Sequence, residues 1–211
     1  MTSRNKPRRQ RWITYFSFLC FLFSLPKAIG AACLSDGRYI MGTVLEITVC
    51  NPTRANRASQ DFDQESLEPL FASASHLDSL FSIFSQQSAL SWLNTHAGQG
   101  AFFAPPEVVD LLALSRRYWY LSRGAFDVTV GPLFSLWKTA GTTQTLPSSL
   151  MLQQARAKIG SDKILFLSND RVALAQSGMT IDLGGIAKGY ALDHIAQLLQ
   201  AQGNPNALVD F

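Results

Sequence analysis

A glycine-rich motif near the end of the sequence decides the predicted fold: Asp182-Leu183-Gly184-Gly185-Ile186-Ala187-Lys188-Gly189-Tyr190-Ala191-Leu192-Asp193. It follows an apolar run at residues 179–181 that is typical of a strand. Beyond the two glycines, apolar residues recur at helical spacing as far as residue 200, and Gly203 is placed to end that helix. The motif therefore predicts a strand that turns into a helix, with a carboxylate at the junction.

Lys188 falls in the first turn of this predicted helix, where the helix dipole disfavours a cation unless a negative partner is present. Backbone N–H groups at a helix N-terminus favour a bound anion, and a phosphate group would supply that partner. The alternative is a tight turn beside a solvated lysine. The local pattern alone does not separate these two interpretations.

The charge of the chain is unevenly distributed along its 211 residues. There are 18 Lys and Arg against 15 Asp and Glu, a formal net charge of +3. Six of the basic residues precede Cys33 and no acid does, so the remainder carries 12 basic against 15 acidic groups, a charge of −3. The basic excess belongs to the N-terminal segment, and a nucleic-acid partner is therefore not supported.

The N-terminal segment has the layout of a signal peptide. A basic region ends at Arg11, an apolar run covers residues 12–25, and small residues follow. That run is too short for a membrane span of about 20 residues. We therefore expect residues 1–32 to be a signal peptide and residues 33–211 to form one exported domain.

The sequence Gly30-Ala31-Ala32-Cys33 resembles a bacterial lipobox, with glycine where an aliphatic residue is usual. Lipidation of Cys33 would anchor the domain to the inner membrane, whereas ordinary cleavage would release it into the periplasm. In an oxidising compartment Cys33 could instead pair with Cys50. The sequence leaves these outcomes open.

The rest of the chain mixes helices with short strands, a pattern that favours an α+β fold. Residues 55–94 are predicted to be mostly helical, with Pro69 near a helix start. Within this region, apolar residues at spacings of three and four form one stripe, which predicts a long helix. The residues of the stripe are Leu67, Leu70, Phe71, Ala74, Leu77, Leu80, Phe81 and Phe84. Further helices are predicted at residues 106–122 and from a Ser148 cap to residue 158, and a Gly/Thr/Ser/Pro-rich connector at 137–147. Strands are predicted at residues 38–50, 164–167, 171–175 and 207–211. Gly42 interrupts the first of them, as happens at a bulge or where a ligand approaches the backbone closely.

Four segments together resemble one protein family: Met41-Gly42-Thr43, residues 81–94, residues 124–137 and the motif at 182–193. They occur in the family's order and roughly its spacing. On these residues the chain resembles the N-terminal two-thirds of an ApbE-type FAD:protein FMN transferase. The resemblance implies mixed helices and a largely antiparallel sheet, with the C-terminal part missing.

The resemblance also implies a reaction, in which FMN passes from FAD to a threonine hydroxyl of an exported or membrane redox protein and AMP is released. Magnesium is required in the family. Matching positions would contact FAD: Met41, Phe84 (tryptophan or tyrosine is more usual there), Ala125, Phe126, Asp127, Asp182 and Lys188. The backbone carbonyl of Gly185 would bind Mg²⁺. For Asp127, which lies among apolar residues, simple capping of backbone N–H groups is the alternative.

Family members continue beyond the strand at residues 207–211 into a Gly-Gly-Asp turn and a segment whose aspartate and threonine complete the magnesium site. We therefore expect the chain to be C-terminally truncated and inactive as it stands, because one carbonyl cannot hold Mg²⁺. Two other interpretations remain, namely a non-catalytic exported flavin-binding module and an exported structural domain whose motif glycines only make turns.

Overall fold

The computed structural model describes residues 32–51, 63–203 and 206–211, and these ranges have the predicted α+β fold. Strands within them are β1 Ala32–Ile40, β2 Thr43–Asn51, β3 Phe102–Phe103, β4 Ile164–Leu167, β5 Arg171–Leu174 and β6 Ala207–Asp210. Helices within them are α1 Gln64–Phe81, α2 Ala89–Thr95, α3 Pro106–Leu121, α4 Gly131–Thr143, α5 Ser149–Ala157 and α6 Ala187–Ala201, with a short 3₁₀ helix at Ser161–Lys163. None of these helices has both the length and the hydropathy needed to cross a membrane. Nearly all of the predicted signal peptide, and the start of the predicted helical region at residue 55, lie outside the described ranges.

The first sheet has the strand order β1-β2-β6, with both pairs antiparallel. Helices α1 and α6 pack on it. The side chains buried between sheet and helices are Ile40, Leu45, Ile47, Val49, Leu67, Leu70, Phe71, Ala74, Ile195 and Leu199. The predicted C-terminal strand is confirmed, because β6 pairs with β2 and places Val209 opposite Ile47.

The strand predicted at residues 38–50 is interrupted at Gly42 as expected, but the interruption is a hairpin turn and not a bulge. Met41 and Gly42 form a two-residue turn with φ angles of 52° and 77°. Two positive φ angles are the geometry that lets the twist of both strands match. The apolar pattern is similar on both sides of the turn, so periodicity could not reveal the reversal.

Helix α1 confirms the apolar stripe up to Phe81. It begins with a capping box, in which the Asp63 carboxylate accepts a hydrogen bond from the Ser66 N–H and the Ser66 hydroxyl accepts one from the Asp63 N–H. Pro69 lies inside this helix, in its second turn, and not at its start as expected. Phe84 is outside the helix and 89% exposed, so its assignment to the buried stripe was wrong.

The second sheet has the order β3-β5-β4, also antiparallel. The hairpin predicted from the sequence at β4 and β5 is confirmed. This sheet, helices α2 and α3, and the segment before α6 enclose a second core that includes Leu90, Leu111, Val172, Met179 and Ile181. Met41 and Phe211 are partly buried against both cores.

Two local predictions were wrong. The connector expected at residues 137–147 is helical up to Thr143, because α4 starts at Gly131 with Pro132 in its first turn. The segment 179–181 was predicted as a strand but belongs to neither sheet. Its backbone bonds instead to Asn94, whose amide donates to the Ile181 carbonyl and accepts from the Ile181 N–H at 2.9 and 2.7 Å.

Candidate functional site

Two adjoining pockets lie where the β1–β2 turn, the end of α1 and the start of α6 meet. We call the first the hairpin cleft; it has a volume of about 570 Å³, and Met41, Phe84, Asp182 and Lys188 are among its lining residues. We call the second the glycine pocket; it has a volume of about 390 Å³, and Ala125, Phe126, Asp127, Asp182 and Gly185 are among its lining residues. Phe134, Asp182 and Gly184 line both. The fold therefore brings all eight predicted site residues into one continuous depression.

The junction between the pockets is the start of the 182–193 motif. The Asp182 N–H donates to the Val128 carbonyl at 2.8 Å, and the Asp182 carboxylate accepts from the Gly184 N–H at 2.8 Å. The latter bond closes a tight turn that lets α6 begin two residues after the glycine pair. The turn thus fixes the carboxylate at the mouth of both pockets.

Lys188 is the second residue of α6, as the sequence predicted. No side chain caps the N-terminus of this helix. The Lys188 ammonium lies 5.9 Å from the centre of the Phe211 ring and lines the hairpin cleft. A helix N-terminus and a lysine at one cleft make a site suited to an anionic group.

Met41 is placed by its backbone. Its N–H donates to Oδ2 of Asp78 on α1 at 3.1 Å, and Asp78 also lines the hairpin cleft. Phe84 forms another part of the cleft wall, with its backbone N–H bonded to the Ser82 hydroxyl at 3.2 Å. Its ring is exposed toward the cleft, which is the usual arrangement for a flat surface that stacks on an aromatic ligand.

Asp127 is already engaged within the protein. Its Oδ1 accepts from the Thr129 N–H at 2.9 Å, the Thr129 hydroxyl at 2.6 Å and the Ser161 hydroxyl at 2.8 Å. The Thr129 hydroxyl in turn accepts from the Gly160 N–H at 2.7 Å. This network confirms the capping role for Asp127, while its predicted contact with FAD stays a prediction.

The described residues do not by themselves fit a complete magnesium site. Among them, no group of three or more His, Cys, Asp or Glu side chains is placed to hold a metal. The glycine pocket offers the Asp182 carboxylate and the backbone of Gly185, whereas Mg²⁺ requires near-octahedral oxygen ligation.

Among the residues that line the hairpin cleft without having been predicted as site residues are Tyr39, Asp78 and Phe134. Asp78 carried a signal that could have been used, because its carboxylate directly follows the buried Leu77 in the last turns of α1. Phe134 lies within the segment 124–137 of the resemblance but was not named as a site residue. Tyr39 alternates with buried Ile40 and faces outward with 77% exposure.

A third, largely apolar pocket of about 760 Å³ lies between α3 and α6 and meets the glycine pocket at Phe126 and Gly185. Tyr190 lines it, and burial together with the charges of Asp110 and Glu107 raises the pKa of Tyr190 to about 12. The phenol is therefore neutral at physiological pH.

Comparison with known proteins decides the family. The model of the ApbE family matches residues 41–211, which is most of the chain and includes every predicted site residue. The chain belongs to the ApbE family. The curated relatives it matches include the FAD:protein FMN transferase of Treponema pallidum (strain Nichols), 30% identical over 188 residues, and that of Klebsiella pneumoniae (strain 342), 31% identical over 137 residues.

Solved structures of the ApbE family share the fold. The flavin transferase ApbE from Vibrio cholerae superposes with a TM-score of 0.73 at 25% identity, covering 86% of this chain and 57% of that one. The ApbE protein from Thermotoga maritima gives a TM-score of 0.70 at 29% identity, covering 85% and 56%. The chain spans about half or less of the length of these curated relatives. The match covers 84% of this chain and 49% of the T. pallidum protein. For the K. pneumoniae protein the two shares are 63% and 39%.

Proposed function

We propose that this ApbE-family protein is an FAD:protein FMN transferase, which moves FMN from FAD to a threonine hydroxyl of an exported or membrane redox protein and releases AMP. Because the described residues offer too few magnesium ligands, we expect the chain to be inactive until further ligands complete that site. One observation carries the proposal: eight residues drawn from four separate segments of the sequence line two adjoining pockets. The relatives at 30% and 31% identity bear the same activity in their names.

The proposed reaction is attack at a pyrophosphate phosphorus. The threonine oxygen forms a bond to the phosphorus of the FMN half, the bond from that phosphorus to the bridging oxygen breaks, and AMP leaves with that oxygen. The hydroxyl proton passes, formally, to AMP. Negative charge grows on the bridging oxygen as the bond breaks, so cations and N–H donors fixed beside it lower the barrier.

Lys188 and the N-terminus of α6 supply this positive potential. Their position at the hairpin cleft supports a binding position for the pyrophosphate of FAD near the junction of the two pockets, beside Gly184 and Gly185. A Cβ added to Gly184 would approach the Asp182 carboxylate to 3.1 Å, so glycine keeps this turn narrow. No side chain is assigned as the base that receives the hydroxyl proton.

The flavin and adenosine parts of FAD would occupy the two pockets on either side of this junction. Phe84, Met41 and Phe134 offer apolar and aromatic surface in the hairpin cleft, and Phe126 offers it in the glycine pocket. Aromatic rings stack favourably on flat ligands. Asp127, held by Thr129 and Ser161, would place its remaining acceptor capacity at the glycine pocket.

Magnesium is part of the proposal, with the Gly185 carbonyl as one oxygen ligand. The other oxygens would come from FAD phosphates, water and further protein ligands, since Mg²⁺ commonly binds substrate phosphates and retains water. No step of the reaction is derived through the metal, because the described side chains do not complete its coordination.

We further propose that the protein acts in the periplasm. The signal-peptide layout of residues 1–32 supports export, and the disulfide between Cys33 and Cys50 is of the kind that persists in an oxidising compartment. A sulfur held in that disulfide cannot also carry a lipid, so the disulfide favours a released domain over an anchored one.

A deletion strain tests the proposed function. Covalent flavin remains on its carrier in a denaturing gel and fluoresces, so deletion of the gene should abolish one or more fluorescent bands. The wild-type gene should restore them and the Lys188→Ala gene should restore them poorly, with FMN found on a threonine by mass spectrometry. Unchanged bands in the deletion strain would contradict the transferase, and FAD binding without any such loss would favour the non-catalytic flavin-binding module.

A further inference from the structure

Asp78 joins two walls of the hairpin cleft, although it belongs to none of the segments that identified the family. Its carboxylate accepts the Met41 N–H at 3.1 Å, and its backbone carbonyl accepts the Ser82 N–H at 3.0 Å. The first bond holds the β1–β2 turn, and the second holds the start of the segment that leads to Phe84. One residue thereby fixes the spacing between two walls that lie far apart in sequence.

The bond to Met41 compensates for an unusual backbone. Met41 has a φ of 52°. This left-handed conformation is energetically unfavourable for a residue that carries a side chain, and Gly, Asn or Asp normally takes it in such turns. Ile40 and Thr43 form the closing pair of the ladder, so the N–H of Met41 requires a partner outside the sheet. Asp78 supplies it with a charged acceptor, the stronger kind.

The side of the cleft formed by Phe84 is held just as firmly. The Ser82 carbonyl accepts from the hydroxyls of Ser88, at 2.6 Å, and Ser91, at 3.2 Å. Ser88 is buried and also caps α2 through the Ser91 N–H. The end of α1 is therefore a rigid base, and a carboxylate projecting from it can set the position of the turn.

We propose that Asp78 is a positioning residue, which holds Met41 at the distance from Phe84 that admits the ligand of the hairpin cleft. The inference rests on the proposed function, with FAD as that ligand. Asp78 acts through Met41 and not by contact with phosphate, because a carboxylate repels an anionic pyrophosphate.

The test compares variants in the full exported chain. Asp78→Ala removes the acceptor, Asp78→Asn keeps an oxygen of the same reach without the charge, and Glu65→Ala removes an exposed carboxylate from the same helix away from both pockets. Three quantities are measured for each: the Kd for FAD by fluorescence titration, hydrogen–deuterium exchange at the Met41 amide, and the melting temperature.

Asp78→Ala should raise the Kd for FAD about tenfold or more, because losing a hydrogen bond to a charged group changes an equilibrium constant by about that factor. Exchange at the Met41 amide should accelerate in parallel. Asp78→Asn should recover most of both quantities, and Glu65→Ala should leave both unchanged. If Asp78→Ala does not fold, Asp78→Asn decides, because the proposal then requires its Kd and Met41 exchange to stay close to wild type.

Two results would overturn the inference in distinguishable ways. Wild-type protein that binds FAD, with equal Kd values for Asp78→Ala and Glu65→Ala, would leave the proposed function standing and remove the positioning role. Wild-type protein that binds no FAD would remove both, whatever the exchange at Met41.

Discussion

The side chain of Asn94 makes two hydrogen bonds to the backbone of a single residue, Ile181, which lies 87 positions further along the chain. An asparagine side chain can donate and accept at once, so it replaces the strand that would otherwise pair with Ile181. The next residue is Asp182, at the junction of the two pockets. The position of the site carboxylate therefore depends on helix α2.

Asn94→Asp should destabilise the fold, because the new carboxylate would face the Ile181 carbonyl without a donor. We expect a loss of about 1–3 kcal/mol in the free energy of unfolding, the range for an unsatisfied buried polar group. Urea denaturation measures it. Thr95→Ala, an exposed neighbour that bonds to its own helix and to the His96 ring, is the control and should change the free energy little. Equal effects of both variants on the free energy of unfolding would show that the two hydrogen bonds between Asn94 and Ile181 do not stabilise the fold.

Gly131→Ala should destabilise the start of α4. A Cβ there would overlap the Thr180 hydroxyl and lie 2.9 Å from the Thr180 carbonyl. The crowded segment leads directly into Asp182, so the cost should be about 1–3 kcal/mol of unfolding free energy. A weaker affinity for FAD should accompany it.

Gly141→Ala is the matched control in the same helix. Nothing lies within 4 Å of a Cβ at that position. The substitution should be neutral or stabilise by up to about 1 kcal/mol, because alanine is the better helix former. Thermal unfolding compares the two, and a Gly131→Ala protein as stable as Gly141→Ala would contradict the packing described at Thr180.

Lys188→Ala should weaken FAD binding about tenfold and make it less sensitive to salt, because the variant lacks the cation that we propose faces the pyrophosphate. Lys138, exposed on α4 and outside both pockets, provides the control as Lys138→Ala. FAD titrations at low and high ionic strength provide the comparison. Identical Kd values for the two variants would remove Lys188 from the site.

The disulfide between Cys33 and Cys50 should stabilise the domain by about 3 kcal/mol, the value expected for a closed loop of this size. Cys50→Ser should lose that free energy of unfolding, and reduction of the wild type should have the same effect. The intact mass of the exported protein separates the alternatives for Cys33. A lipid-modified Cys33 with a free Cys50 thiol would contradict the disulfide and support membrane anchoring.

The sequence predicted those features that depend on local chemistry. Ser148 was recognised as a helix cap, and its hydroxyl accepts the Met151 N–H three residues on, as a cap does. The glycine pair before α6 placed Lys188 correctly in the first turn. Site residues from distant segments could be grouped only through the family resemblance, since nothing in their local patterns connects them.

The features that were missed depend on contacts distant in sequence. The reversal at Met41 lacks an Asn-Gly signal, because a carboxylate on α1 stabilises the turn. The segment 179–181 has strand composition but takes its hydrogen bonds from Asn94. Helix α4 is rich in Gly and Thr, and its start is buried against the segment leading to Asp182. Tertiary contacts overrode weak local preference in each case.

The most direct test of the central claim is an equilibrium titration of the purified chain with FAD, in the presence and absence of Mg²⁺. We predict saturable binding of one FAD per chain that strengthens with Mg²⁺, that weakens in Lys188→Ala, and that Lys138→Ala leaves unchanged. Absence of saturable FAD binding by the folded wild-type chain under both conditions would contradict the assignment of the two pockets as a flavin site.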